Sequence, residues 1–181
     1  MDHAGPVVEV VAYDPAWPGL FEAERRILIE ALPYAVSVEH LGSTSVPGLA
    51  AKPTIDIVVV VPRIADLTAD TTPVERLGYE FRRAVFADDP DHEFFVKDTA
   101  GKRTHHLHVF DAASRLPQAN RVFRDYLATH LDAARRYAAA KRQAAAAHPG
   151  SRARYGNAKE PVMRELLAEA TGRASATGRL T

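Results

Sequence analysis

Two hydrophobic rhythms divide this chain. Up to about residue 110, short runs of β-branched and aromatic residues alternate with helix-spaced apolar positions, and beyond it the spacing is helical throughout. Residues 7–12, VVEVVA, read as a short strand or extended arm that Tyr13-Asp14-Pro15 stops. A helix is predicted over residues 18–32, with Leu20, Phe21, Ile27, Leu28 and Leu32 on one broad apolar face. Trp17 is expected to pack the start of that helix against the core, and Pro33 ends it. Residues 36–41 and 54–61 predict two strands separated by the loop GSTSVPGLAAKP. The second strand, IDIVVVV in its body, is apolar without alternation apart from Asp56, so it is expected to lie centrally with both faces covered. Residues 64–77 predict a helix ended by Gly78, and Thr71-Thr72-Pro73 offers a place for it to break in two. Further strands are predicted over residues 79–84, 93–97 and 104–110, the acidic ADDPDH loop separating the first pair and Gly101 turning the chain into the last.

After Asp111 the character changes. Residues 117–130, 131–148 and 151–171 predict three helices, with His148-Pro149-Gly150 as a stop and Ser151 as the N-cap of the last. Pro161 is expected to kink or restart that helix. The fold class is therefore α+β: an α+β core over residues 1–112, a helical region over 113–172 packed on it, and a flexible Gly/Ser/Thr/Arg-rich tail over 173–181.

Composition narrows the chemistry more than the fold. With 181 residues, 23 Lys+Arg and 23 Asp+Glu, the chain can bury a sizeable core and carries no net charge, which gives a long nucleic-acid footprint no help. The absence of cysteine excludes disulfides, thiolate zinc sites and cysteine nucleophiles. No apolar run approaches the roughly 20 residues that a membrane helix needs. The opening MDHAGPVVEV lacks a secretory pattern, so a cytoplasmic protein without a membrane partner is the expectation.

Candidate chemistry concentrates in three places. Asp56 is a carboxylate in an apolar strand, where an unpaired charge costs several kcal/mol. It suits either a metal ligand or a structural acid paired with an arginine or with loop amides. Upstream, Gly42 permits a tight turn that brings backbone amides close to a phosphate, Ser43 and Ser45 add hydroxyls, and Lys52 adds a charge. The second place is THHLHVF, where strand alternation puts His106 and His108 on one face and His105 on the other. Two neighbouring imidazoles serve as metal ligands, as an acid and base near neutral pH, or as structural hydrogen-bonding groups. A zinc site there would need a third ligand, for which Asp56 and Glu93 are the candidates. In the third place, the helical half, Arg124 and Tyr126 lie close together, and Tyr137 with Lys141 and Tyr155 with Lys159 each share a helix face. These pairs suit either a phosphate and base clamp or a solvated surface.

The segments EHLGSTSVPGLAAKPTIDIVV, HHLHVF, FRDYLATH and YAAAKRQAAAAHP, with Tyr155 and Lys159, resemble the GrpB family, also called UPF0157, over nearly the whole chain. That family is similar to the nucleotidyltransferase superfamily, occurs in some proteins fused to dephospho-coenzyme A kinase, and is largely of unassigned activity. The resemblance implies a nucleotidyltransferase-like mixed sheet with flanking helices, followed by a C-terminal helical bundle. It also implies a Gly-Ser turn ahead of an Asp-x-Asp/Glu pair on a strand, with a third acid from a later strand. Gly42, Ser43 and Asp56 match the turn and first acid. Val58 stands where the second acid belongs, and His106 or His108 where the third does.

Three functions are consistent with this pattern. The first is transfer of a nucleotidyl or related group from a nucleotide or phosphorylated small molecule. There Asp56, His106 and His108 would act on Mg²⁺ or Mn²⁺ or on protons, with zinc less favoured. Gly42, Ser43, Ser45, Lys52, Arg124, Tyr126, Lys141, Tyr155 and Lys159 would bind substrate. The second is a non-catalytic nucleotide- or coenzyme A-binding module. The third is a His/Asp metal-dependent or biosynthetic enzyme repurposed from the fold.

Overall fold

The computed structural model describes residues 7–176, with side chains through residue 172. The predicted tail and the first six residues lie largely outside that range. Helix α1 (Trp17–Ala31) leads into β1 (Ser37–Leu41), a short 3-10 turn over Ser43–Ser45, and β2 (Ile55–Val61). The helical stretch that follows does break in two, giving α2 (Ile64–Ala69) and α3 (Thr72–Glu75). Strands β3 (Tyr79–Phe81), β4 (His92–Thr99) and β5 (Lys102–Asp111) come next. Helices α4 (Leu116–Thr129), α5 (Leu131–Ala147) and α6 (Arg152–Ala176) close the fold.

The five strands form one mixed sheet in the order β1-β2-β5-β4-β3, with β2 and β5 parallel and the other neighbours antiparallel. As its composition predicts, β2 is interior to the sheet. Its odd-numbered positions, Ile55, Ile57, Val59 and Val61, join Leu107, Val109 and Phe95 in the main core, where Trp17 and Leu28 of α1, Leu32 just beyond it, Leu67 of α2 and Val74 of α3 meet them. That back face is covered by α1, α2 and α3.

The opposite, front face carries Asp56 and Val58 of β2, His106 and His108 of β5, and His92 and Phe94 of β4, as the strand registers require. The helical half does not seal this face as the other helices seal the back. It packs on the loop between β1 and β2, where Val46, Leu49 and Ala50 enter an apolar cluster with Leu127, Tyr137 and Leu166. At the sheet edge α4 is tied to β1 by the Arg121 guanidinium, which donates to both Glu39 carboxylate oxygens at 2.5–3.0 Å.

Of the two readings of residues 7–12 the structure has the extended arm: Val11 makes one isolated bridge to Ala51, and the Val8 amide donates to the Pro149 carbonyl. Three local expectations are corrected. The strand expected over residues 79–84 ends at Phe81, where the chain turns away from β4. Pro161 does not restart a helix. α6 is continuous through it, since both Pro161 and Asn157, whose carbonyl loses its helical partner, are exposed to water. Helix also persists through Ala176, past residue 172, after which the sequence predicts the tail. The Ser151 cap is present, its hydroxyl accepting from the Arg154 amide at 3.3 Å.

Candidate functional site

The site is built where β1, β2 and β5 run side by side. Leu41 pairs with Asp56 across the β1–β2 ladder, so the chain leaves β1 directly beside the carboxylate. At that point Gly42 adopts φ 72° and ψ −174°, a conformation that a residue with a Cβ rarely takes. A Cβ on Gly42 would lie 2.3 Å from Asp56 Oδ2. The turn and the carboxylate are therefore fitted to each other through the missing side chain.

On its other side Asp56 faces His106, its register partner on β5. His106 Nδ1 lies 2.9 Å from Asp56 Oδ1. Burial by itself would raise the Asp56 carboxyl. The His106 hydrogen bond, with the charges of His106, His108 and Lys52, overrides burial and holds the group down at about 2. Asp56 keeps 32 % of its side-chain surface exposed although protein surrounds it, which describes a group at the floor of a recess. Two residues on, His108 completes a group with Asp56 and His106 whose candidate ligand atoms all lie within 4.8 Å of one another. Burial depresses the His108 imidazole to about 3, so this ring is neutral at physiological pH. An ionised carboxylate beside neutral imidazole is the condition under which such groups ligate a divalent cation.

Cations gather around this floor. Lys52 is lowered to about 8, first by burial and then by Arg152, Arg103 and Lys159, against the attraction of Asp56. Lys141 is lowered to about 7, again chiefly by burial, with Lys159 and Arg142 opposing its charge and Asp56 supporting it. The Lys141 ammonium donates to the Ala50 carbonyl at 2.6 Å and sits over the Tyr137 ring at 4.6 Å. Lys159 donates to Tyr137 Oη at 3.4 Å and lies 5.9 Å from the Tyr155 ring centre. Burial, followed by Tyr137 and Asp56, raises the Tyr155 phenol. The helical half thus presents two Tyr–Lys pairs within electrostatic reach of Asp56.

Other expected site residues are spent elsewhere. The Ser45 hydroxyl donates to the Gly42 carbonyl at 2.6 Å and so closes the turn. Tyr126 is corrected from a pocket residue to a core one: it is buried in the seam of the helical half, and its hydroxyl donates to Glu169 at 2.8 Å. Arg124 reaches the His40 carbonyl at 3.4 Å and Asp125 at 2.8 Å, at the β1 edge of the site. Glu93 pairs with Val109 on the back face and is removed from the candidate ligands. His105 also faces back, toward Glu24 and Tyr79, as alternation predicted. Sequence reasoning missed His92, whose Nε2 lies 2.9 Å from His108 Nδ1. It sits at the end of the ADDPDH loop, and only the β4–β5 register brings it to the site.

A shallow groove between the 47–50 loop and α4–α5, bounded by Leu49, Leu127, Leu131 and Arg135, contains none of these side chains.

Comparison with known proteins bears directly on this arrangement. The family model described as GrpB protein matches residues 7–169. The chain belongs to the GrpB family. A GrpB-family protein of Pseudomonas aeruginosa is 41% identical over 171 residues, covering 90% of this chain and 67% of the relative. The crystal structure of the conserved protein GrpB from Enterococcus faecalis superposes with a TM-score of 0.77 at 34% identity, covering 89% of this chain and 98% of that one. The α+β architecture is thus a property of the GrpB family. A protein of Mycolicibacterium paratuberculosis named dephospho-CoA kinase is 31% identical over 196 residues, which span 94% of this chain and 48% of that protein. The GrpB unit matches about half of that longer chain. A slighter likeness, to the Cid1 poly(U) polymerase at 12% identity and a TM-score of 0.44, carries no argument.

Proposed function

We propose that the recess binds a nucleotide or another phosphorylated small molecule against a divalent cation, and that its chemistry is group transfer at a phosphate. The observation that carries this reading is the convergence of Asp56, His106 and His108 donor atoms within 4.8 Å, inside a cluster of lysines with few opposing carboxylates. Asp56, His106 and His108 would hold the cation. When bound, it supplies charge stabilisation at the reacting phosphate. Gly42 keeps the space over Asp56 open, and the amides and Ser43 hydroxyl of the adjoining turn offer donors to a phosphate oxygen. Lys52 and Lys159 supply positive charge, and Lys141 holds the Ala50 carbonyl so that the loop bearing Lys52 keeps its place. Tyr155 and Tyr137 offer flat surfaces to a base. The relative named dephospho-CoA kinase puts coenzyme A-like compounds beside nucleoside triphosphates among the ligands to try.

The test is calorimetry of purified protein with Mg²⁺ or Mn²⁺ against nucleoside triphosphates, coenzyme A compounds and simple phosphate esters. Micromolar binding of at least one, weakened roughly 10–100-fold by Asp56→Asn, is the expected outcome. No binding across the whole panel overturns the reading.

A second reading, a binding module without turnover, is favoured by Val58. It is 2 % exposed, pairs with His108, and packs on Leu41 and Phe110 where the resemblance leads one to expect a second acid. Ligand binding without turnover and unaffected by Asp56→Asn selects this alternative.

A further inference from the structure

His92 is absent from every role assigned so far, yet it is 5 % exposed, and its imidazole makes the 2.9 Å contact between its Nε2 and His108 Nδ1. A single proton occupies that contact. If His92 carried it, His108 would hold its own proton on Nε2 and present no lone pair to the recess. If His108 carries it on Nδ1, His108 Nε2 is bare, and the His92 proton sits on Nδ1. Asp89 decides between them: its Oδ2 lies 3.9 Å from His92 Nδ1, so its negative charge favours a proton there. The ionised Asp56 can only accept, so His106 Nδ1 donates to it across 2.9 Å.

Resting on the cation site proposed above, we infer that His92 is its positioning residue. By accepting the His108 Nδ1 proton it presents a bare His108 Nε2 to the site that Asp56 and His106 share, so the site takes an imidazole-preferring first-row ion such as Zn²⁺ or Co²⁺ in preference to Mg²⁺. Magnesium favours oxygen donors and an octahedral shell rich in water, whereas two imidazole ligands and one carboxylate match the borderline ions. A metal-ligating histidine that donates its other ring N–H to a fixed acceptor is the usual outer-shell arrangement. Here His92 is that acceptor for His108. His92 is itself clamped, with its ring 4.0 Å from Phe86 and 4.1 Å from Phe110.

Two measurements test this. In metal-free protein labelled with ¹⁵N-histidine, long-range proton–nitrogen spectra should show His108 as the Nδ1–H tautomer; an Nε2–H tautomer at His108 overturns the inference. Calorimetry with Zn²⁺, Co²⁺ and Mg²⁺ alone should give one site, with Mg²⁺ weaker than Zn²⁺ by tenfold or more. His92→Phe, which keeps the ring stacking and removes the acceptor, should lower Zn²⁺ affinity roughly 10–100-fold, while His92→Gln, which restores an acceptor, should recover most of it. Circular dichroism and thermal melting of the metal-free variants confirm that both fold. If wild-type protein binds Zn²⁺ and His108→Ala abolishes binding but His92→Phe does not weaken it, the role of His92 fails while the cation site stands. Equal loss in His92→Phe and His92→Gln also overturns it, and Mg²⁺ binding as tight as Zn²⁺ overturns the selectivity. If wild-type protein binds none of these ions, the cation site itself fails, and His92 with it.

Discussion

At Gly42 two independent constraints coincide: a backbone conformation essentially reserved for glycine, and an Asp56 oxygen 2.3 Å from where a Cβ would sit. Gly42→Ala must strain the turn or push Asp56 away from His106. It is expected to cost about 1–3 kcal/mol from the backbone alone, read as a lower urea midpoint, and to weaken ligand binding as well. Unchanged stability and binding would show that the turn relaxes freely. Lys141 is the other residue whose replacement should be felt, because it is 2 % exposed and its ammonium satisfies the Ala50 carbonyl. Lys141→Met keeps the stem and leaves that carbonyl orphaned, so a loss of about 1–3 kcal/mol is expected, with faster hydrogen exchange confined to the loop around Ala50 and Lys52. At this scale the sequence singled out Asp56, His106 and His108 correctly as a group, because a charge in an apolar strand and alternate histidines are visible as patterns. It could not single out His92, which has no pattern of its own.

Among the elements, α6 carries its internal proline without interruption. A proline there still forfeits one backbone hydrogen bond, so Pro161→Ala is expected to stabilise the protein by roughly 1–3 kcal/mol, seen as a higher melting temperature. A lower one would show that the proline shapes α6 to fit α4 and α5. The α4–β1 contact rests on Arg121 and Glu39, which are 31 % and 23 % exposed and make three hydrogen bonds. Arg121→Ala should cost about 1 kcal/mol and speed amide exchange in β1, leaving β4 unchanged. Helices and strands were legible to within a few residues wherever periodicity was strong, as in α1, β2 and α5. At residues 7–12 the pattern left a strand and an extended arm both open, since the same residues form either depending on whether a sheet edge lies next to them.

Considered whole, the molecule buries neutral imidazoles on both faces of its sheet. Burial lowers His40 to about 4, His92 to about 4 and His108 to about 3, all below the ordinary 6.5. Between pH 6.5 and 4 the unfolded chain therefore binds protons that the native protein refuses, and stability must fall as pH falls. Asp56, held at about 2 against an ordinary 3.8, adds a further loss below pH 4 as it is protonated. Chemical unfolding of metal-free protein at a series of pH values should show a continuous decline from pH 7 toward pH 3. A level profile from pH 6.5 to 4 would mean that these rings are charged in the fold. The chain's own order of residues was enough for the α+β class, the change to helix after Asp111, the central position of β2 and the face shared by His106 and His108, because all of these follow from local periodicity and covalent alternation. Assembly alone brought β5 alongside β2 in parallel register, put Asp56 opposite His106, turned Glu93 to the back, withdrew Tyr126 into the helical core and delivered His92 to His108. Those are contacts between residues distant in sequence, selected by which faces pack together, and no window of the chain contains both partners.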